Sequence, residues 1–243
     1  MRTARRALVG HDANIPGRSV ARRRYNPGVR FTTVFFDLDD TIYPASTGLW
    51  HAIKARMNTY MHERLGVEEG EIQSLREQYF ATYGTTLRGL EAKHGVEPQE
   101  FLRYVHDLPL ERFLSPDPIQ REVILSLGTR NHVFTNADSA HARRVLSMLH
   151  LDDCFISIID VNAVAPYCKP MPESFSIAMK LAAEAVPGRC VVIDDLPRTT
   201  RAARAHGMFS ILYGADTPAG DAHAVLKDWR DLPRRLRKAP RDS

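Results

Sequence analysis

The chain has 243 residues, 44% of them hydrophobic and 26% charged, the balance of an ordinary globular protein with room for one sizeable core and a second, smaller unit. Its net charge of +4 is carried by the ends: residues 1–30 stand at +7 and residues 230–243 at +4, which leaves −7 for residues 31–229. An acidic middle argues against a phosphate-backbone groove, and no apolar run approaches the ~20 residues of a membrane helix, so neither nucleic acid nor a membrane is expected as a partner.

Residues 1–30 hold eight arginines with scattered glycine and proline and little periodicity, and are expected to be a basic, disordered extension. They lack the apolar stretch of a secretory signal. Cys154, Cys168 and Cys190 are odd in number and have no C-x-x-C spacing, which fits reduced thiols in a cytoplasmic protein.

Val34-Phe35-Phe36 is a run of β-branched and aromatic residues without alternation, the pattern of a strand buried on both faces of a parallel sheet. It runs straight into Asp37-Leu38-Asp39-Asp40-Thr41, and open α/β sheets place their chemistry at the carboxyl ends of strands. A turn leaving extended geometry would aim Asp37 and Asp39 into one cleft. Two carboxylates so close repel unless a shared proton or a cation such as Mg²⁺ relieves them. Taken alone, an Asp-x-Asp is equally a loop of solvated acids.

After the break at Pro44, Leu49, Ile53, Met57, Tyr60, Met61 and Leu65 lie on one face of a helix ended by Gly66. A second helix is expected over 68–83 with Ile72, Leu75, Tyr79 and Phe80 inward, a third over 85–94, and a fourth over 98–106. The whole stretch 44–115 carries no strand signal and reads as a helical domain inserted into an α/β core made of 31–43 and 116–229, with a basic tail over 230–243.

From Ile119 strand and helix alternate. A helix ends near Gly128, and a strand over 132–134 ends in Thr135-Asn136. A helix over 139–149, a strand over 155–159 and a helix over 172–185 follow, with Lys169-Pro170 in the loop before the last. A strand over 190–193 ends in Asp194-Asp195, then come a helix over 199–206, a strand over 209–212 and a final helix from about Asp221. This rhythm means βαβ units, hence a Rossmann-like, doubly wound parallel sheet. Four loops at strand ends then carry acid, hydroxyl and amide, base, and paired acids. Each is weak alone; the ordered set is not.

Carried on Phe36-Asp37-Leu38-Asp39-Asp40-Thr41, Phe134-Thr135-Asn136, Lys169-Pro170 and Val192-Ile193-Asp194-Asp195, the sequence resembles the haloacid dehalogenase-like (HAD) hydrolase superfamily over roughly residues 31–213. The helical stretch after the first motif matches that superfamily's helical cap. A second aspartate two residues after the first marks its phosphatase and phosphotransferase branch, so carbon–halogen cleavage is disfavoured. The resemblance implies Asp37 as nucleophile, Asp39 as general acid and then base, and Thr135 with the Asn136 backbone as phosphate donors. It implies Lys169 as the balancing cation and Mg²⁺ held by Asp37, the Asp39 backbone carbonyl and Asp195, with Asp194 inner-shell or through water. Asp40 reads as a turn residue and Thr41 as a buttress of the loop.

A closer resemblance is to pyrimidine 5′-nucleotidases. It is carried on 39–44 with Ser46, on Tyr79 through Leu90, on Leu108-Pro109-Leu110, on 114–117, and on 134–137 before His141-Ala142. It implies a small phosphomonoester substrate, a nucleoside monophosphate such as UMP or CMP. Specificity would lie in the cap, with Tyr43, Tyr83 and Arg88 as candidates. Arg88 is equally a structural salt bridge at the hinge, and Tyr43 and Trp50 are equally buried packing. His141 is taken as a helix or cap contact. The rival readings are a broad sugar-phosphate phosphatase or phosphomutase, and a non-catalytic binding protein on a hydrolase scaffold. Oligomeric state is not legible.

Overall fold

The computed structural model describes residues 30–214 and 220–237. The expected extension up to residue 29 and the last six residues of the basic tail, 238–243, lie outside these residues.

Among the described residues the sheet has six strands, all parallel, in the order β3-β2-β1-β4-β5-β6. They are β1 (Thr33–Phe36), β2 (Arg130–Phe134), β3 (Ser157–Ile159), β4 (Cys190–Asp194), β5 (Phe209–Tyr213) and β6 (Ala224–Leu226). β1 lies centrally, with Phe36 in register with Val133 on one side and Ile193 on the other. Both its faces are covered, which is why its four residues are all buried and apolar or β-branched. Phe35 packs with Phe134, Phe175 and Val192, whereas Val34 and Phe36 join the larger core on the opposite face.

Between β1 and β2 run α1 (Leu49–Leu65), α2 (Glu69–Tyr83), α3 (Thr86–His94) and α4 (Pro98–His106). The helices among the strands are α5 (Pro118–Ser126), α6 (Ser139–Met148), α7 (Pro172–Leu181) and α8 (Pro197–Ala205), with α9 (Leu232–Arg237) at the end. The expected faces hold in part. Leu49, Ile53, Tyr60 and Met61 of α1 are buried, and so are Ile72 and Tyr79 of α2. Met57 is partly buried against the same core and also lines a cavity, whereas Phe80 stays 38% exposed beneath the guanidinium of Arg198. The final helix expected from Asp221 is a correction. That stretch gives β6 first, paired to Ile211–Tyr213, and only then α9. Three residues of edge strand are too few for their alternation to stand out in sequence.

The corner between α2 and α3 is tied to the sheet side of the molecule. Gly84 has φ +87°, and a Cβ there would lie 2.6 Å from Cys168 Sγ, so only glycine fits. Arg198 at the start of α8 donates to the carbonyls of Phe80 and Gly84, at 2.9 and 2.6 Å. Arg88 donates to the carbonyls of Val161 and Tyr167, at 2.8 and 3.2 Å. The helical segment is thereby held over the carboxyl edge of the sheet.

Candidate active site

The amide of Asp37 continues the ladder of β1 by donating to Ile193 O at 2.9 Å. The chain then turns: Asp40 takes φ 57° and the amide of Ile42 closes back on Leu38 O at 2.9 Å. That turn lets Asp37 and Asp39 both face one cavity of about 660 Å³. Its floor also holds Thr135, Asn136, Lys169, Asp194 and Asp195, contributed by the ends of β2 and β4 and the loop after β3. Its walls come from α1, α2 and α4, among them Trp50, Met57, Asn58, Arg76, Phe80 and Phe101.

Lys169 is 3% exposed, and its Nζ donates to Asp37 Oδ1 and Asp194 Oδ2, both at 2.6 Å. A buried ammonium is stable only with such partners. Burial works against its charge, but Asp194 and Asp37 more than offset this and hold its pKa above the ordinary lysine value. Asn136 clamps the lysine's own main chain, its Oδ1 accepting from Lys169 N and its Nδ2 donating to Lys169 O. Thr135 Oγ1 accepts the Ala137 amide at 2.9 Å, and Thr41 donates to Asp37 Oδ2 at 3.2 Å.

Asp37, Asp194 and Asp195 bring a carboxylate oxygen each within 4.8 Å of one another. Asp194 is already engaged with Lys169 and with the Leu196 amide at 3.0 Å, whereas the Asp195 side chain makes no hydrogen bond among the described residues. Burial pushes Asp195 up to about 9, with the charges of Asp37 and Asp194 adding to it. Burial likewise raises Asp37 to about 7, against the pull of Lys169. Acids held this far above their ordinary values are short of positive charge. Three hard oxygen donors with that shortage fit Mg²⁺. The Asp39 side chain stands outside this set.

Asp39 faces different company. Tyr43 donates its hydroxyl to Asp39 Oδ1, and Nε2 of His141 lies 3.4 Å from the same atom. Burial would raise Asp39, yet these bonds and the charge of His141 bring it below the ordinary carboxylate value. His106, at the end of α4, stacks on His141 with ring centroids 4.0 Å apart.

Of the residues proposed for specificity, Tyr43, Tyr83 and Arg88 do not line the cavity. Tyr43 is buried and bonded to Asp39. Arg88 is spent on Glu91 and two carbonyls, a hinge contact rather than a substrate fork. The Tyr83 carbonyl accepts from Cys168 Sγ at the α2–α3 corner, and its ring leans on Tyr79. Sequence reasoning also passed over His106, which offered no spacing signal because helix packing brings it in from another element. His141, expected as a helix or cap contact, does stack on His106 of α4, but its aim at Asp39 carries no signal in the sequence.

An open parallel sheet with carboxylates, a buried lysine and a hydroxyl gathered at its carboxyl edge places the site where open α/β proteins bind their ligands. The chain belongs to the haloacid dehalogenase-like hydrolase family, whose model matches residues 31–207. It is 27% identical over 193 residues to Phosphate metabolism protein 8 of Saccharomyces cerevisiae, covering 74% of this chain and 60% of the yeast protein. The chain thus spans about 60% of that curated relative's length. Among solved structures it shares its fold with the HAD-hydrolase YfnB from Bacillus subtilis bound to magnesium. The TM-score is 0.55 at 16% identity, over 85% of this chain and 99% of that one. The L-2-haloacid dehalogenase from Xanthobacter autotrophicus matches at TM-score 0.53 and 15% identity, over 86% and 100%. At such identities the likeness concerns the fold alone. Among the described residues no helix is long and apolar enough to cross a membrane.

Proposed function

We propose that this chain is an Mg²⁺-dependent phosphomonoester hydrolase working through an aspartyl-phosphate on Asp37, with pyrimidine nucleoside monophosphates as its substrates. The observation that carries this reading is the environment of Asp37. It is a buried carboxylate at the cavity floor, held by Lys169 and Thr41, two residues before a second acid whose bonds all lie elsewhere. The yeast relative's name, which refers to phosphate metabolism, points the same way.

An Asp37 oxygen attacks phosphorus in line as the bond to the leaving oxygen breaks, and Asp39 supplies that oxygen with a proton. The arriving phosphate is negative and favours the protonated form of Asp39, which Tyr43 and His141 otherwise disfavour. Asp39 then takes a proton from the water that displaces Asp37, releasing inorganic phosphate. Lys169 balances the carboxylates during both steps. Thr135, whose oxygen accepts a main-chain amide, has its hydroxyl proton left for a phosphoryl oxygen. Mg²⁺, held by Asp37, Asp195 and the Asp39 carbonyl with Asp194 inner-shell or through water, would neutralise phosphoryl oxygens.

In this reading 44–115 is the cap, 31–43 and 116–229 the core, and the cap wall selects the substrate. Trp50 and Phe80 offer aromatic faces and Asn58 and Arg76 polar groups, a composition that suits a nucleobase better than a bare sugar. The same floor would serve a sugar-phosphate phosphatase or mutase. Phosphate release should therefore be measured over UMP, CMP, dUMP, dTMP, AMP, GMP and sugar phosphates, with Mg²⁺ and with EDTA. Mg²⁺-dependent release favouring pyrimidine nucleotides, and lost in Asp37→Asn, is the expected result. Preference for sugar phosphates would discard the substrate and keep the chemistry. No release by folded protein would leave the binding-protein reading.

A further inference from the structure

The two bonds to Asp39 converge on Oδ1, while Oδ2 has no hydrogen-bond partner among the described residues and Asp39 lines the cavity. Behind His141, the ring of His106 lies parallel to within 14°. Nδ1 of His106 is 2.6 Å from Asp138 Oδ2, and the other oxygen of Asp138 accepts the His141 amide at 2.9 Å. One carboxylate thus caps the helix that carries His141 and orients the ring stacked on it. Both rings are buried, at 5% and 1% exposure. Arg144 anchors the segment by donating to the carbonyls of His106 and Leu108, at 2.9 and 2.7 Å.

Packing alone would explain two stacked rings, but not their aim. A carboxylate only accepts, so Nε2 of His141 is an N–H donor, and Nδ1 is left buried with no partner. A ring placed only to fill space has no reason to strand one nitrogen in order to bond an acid that Tyr43 already holds. Nor does the chain of bonds serve the proposed metal set, since none of its four members bonds Asp37, Asp194 or Asp195.

We infer that Tyr43, His141, His106 and Asp138 form a positioning chain that pins Oδ1 of Asp39 and so aims Oδ2 at the leaving-group oxygen. The inference rests on the hydrolase reading above. In the first step the Oδ2 proton passes to the bridging oxygen as its bond to phosphorus breaks and the Asp37–phosphorus bond forms. Because His106 ends α4 while His141 belongs to α6, the acid is aligned only where the helical segment is docked on the sheet.

The test uses the full chain and compares kcat/KM, which reports the steps up to leaving-group departure, on two esters. p-Nitrophenyl phosphate loses a phenolate that needs no proton; an alkyl phosphate, the best monophosphate of the panel, loses an alkoxide that does. His141→Leu and Tyr43→Phe should lower kcat/KM on the alkyl ester by roughly 10²-fold and on the aryl ester by less than about a tenth of that. His141→Gln, which keeps an N–H near the Nε2 position, should recover most of the loss. If thermal unfolding shows that His141→Leu does not fold, Tyr43→Phe and His141→Gln decide on their own ratios of the two esters. Equal losses on both esters overturn the positioning chain and leave the hydrolase reading intact. A wild-type protein that hydrolyses neither ester overturns both.

Discussion

Buried polar side chains in this protein divide into those that are matched and those that are not. Lys169 is matched twice, and removing it would leave Asp37 and Asp194 facing each other without a cation. His132 is matched only once: Nδ1 meets Ser157 Oγ at 2.8 Å, while Nε2 is buried without a partner. Burial, helped by Arg130, pulls its pKa down to about 4. The folded protein therefore holds this ring neutral where the unfolded chain, with an ordinary value near 6.5, already binds a proton. The sign follows from that difference. The contribution is complete above about pH 6.5 and is lost as pH falls toward 4, up to about 3 kcal/mol in all. Urea midpoints measured from pH 7 to 4 should fall less steeply in His132→Phe than in the wild type. Parallel curves would show that this ring does not titrate as described.

At the level of elements, α2 and α3 approach so closely that a side chain on Gly89 has nowhere to go. A Cβ built there would lie 2.2 Å from the ring of Tyr79. Alanine improves helix propensity by about 1 kcal/mol. Overpacking costs about 1–3 kcal/mol, and the steepness of this overlap puts it at the upper end. Gly89→Ala should thus be destabilised by about 1–2 kcal/mol in urea unfolding. An unchanged or raised midpoint would mean that the pair of helices slides apart freely. The close approach was not legible in the chain, where Gly89 looks like any glycine in a short helix. β1 was legible, because burial on both faces leaves an unbroken apolar run. β6 was not, being three residues at the sheet edge. Phe80 was misplaced in the core because helical spacing marks a face without saying whether protein or a cavity lies opposite.

The whole molecule places its charge shortage at one point, and a cation bound there should be felt globally. In the proposed metal set, saturating Mg²⁺ at about a hundred times its Kd adds about 2.7 kcal/mol, which raises Tm by several degrees. Thermal unfolding with Mg²⁺ and with EDTA should show that rise in the wild type. Asp195→Asn should lose it while being no less stable than the wild type in EDTA, since it removes an acid whose charged form burial and the neighbouring carboxylates disfavour. A full Mg²⁺ shift in Asp195→Asn would move the cation elsewhere.

By itself the sequence determined the parallel sheet, the helical stretch after β1 and the strand-end residues that meet at the floor of the cavity. These follow from local periodicity and from a topology that brings the carboxyl ends of parallel strands to one edge. Only the tertiary structure decided which side chains face that cavity. It turned Arg88 to the carbonyls of Val161 and Tyr167 and left Trp50 and Arg76 on the wall. It also laid His106 on His141 behind Asp39. The physical reason is that a side chain's partners depend on the packing angle and contact of elements far apart in sequence. Neither propensity nor spacing within one element carries that information.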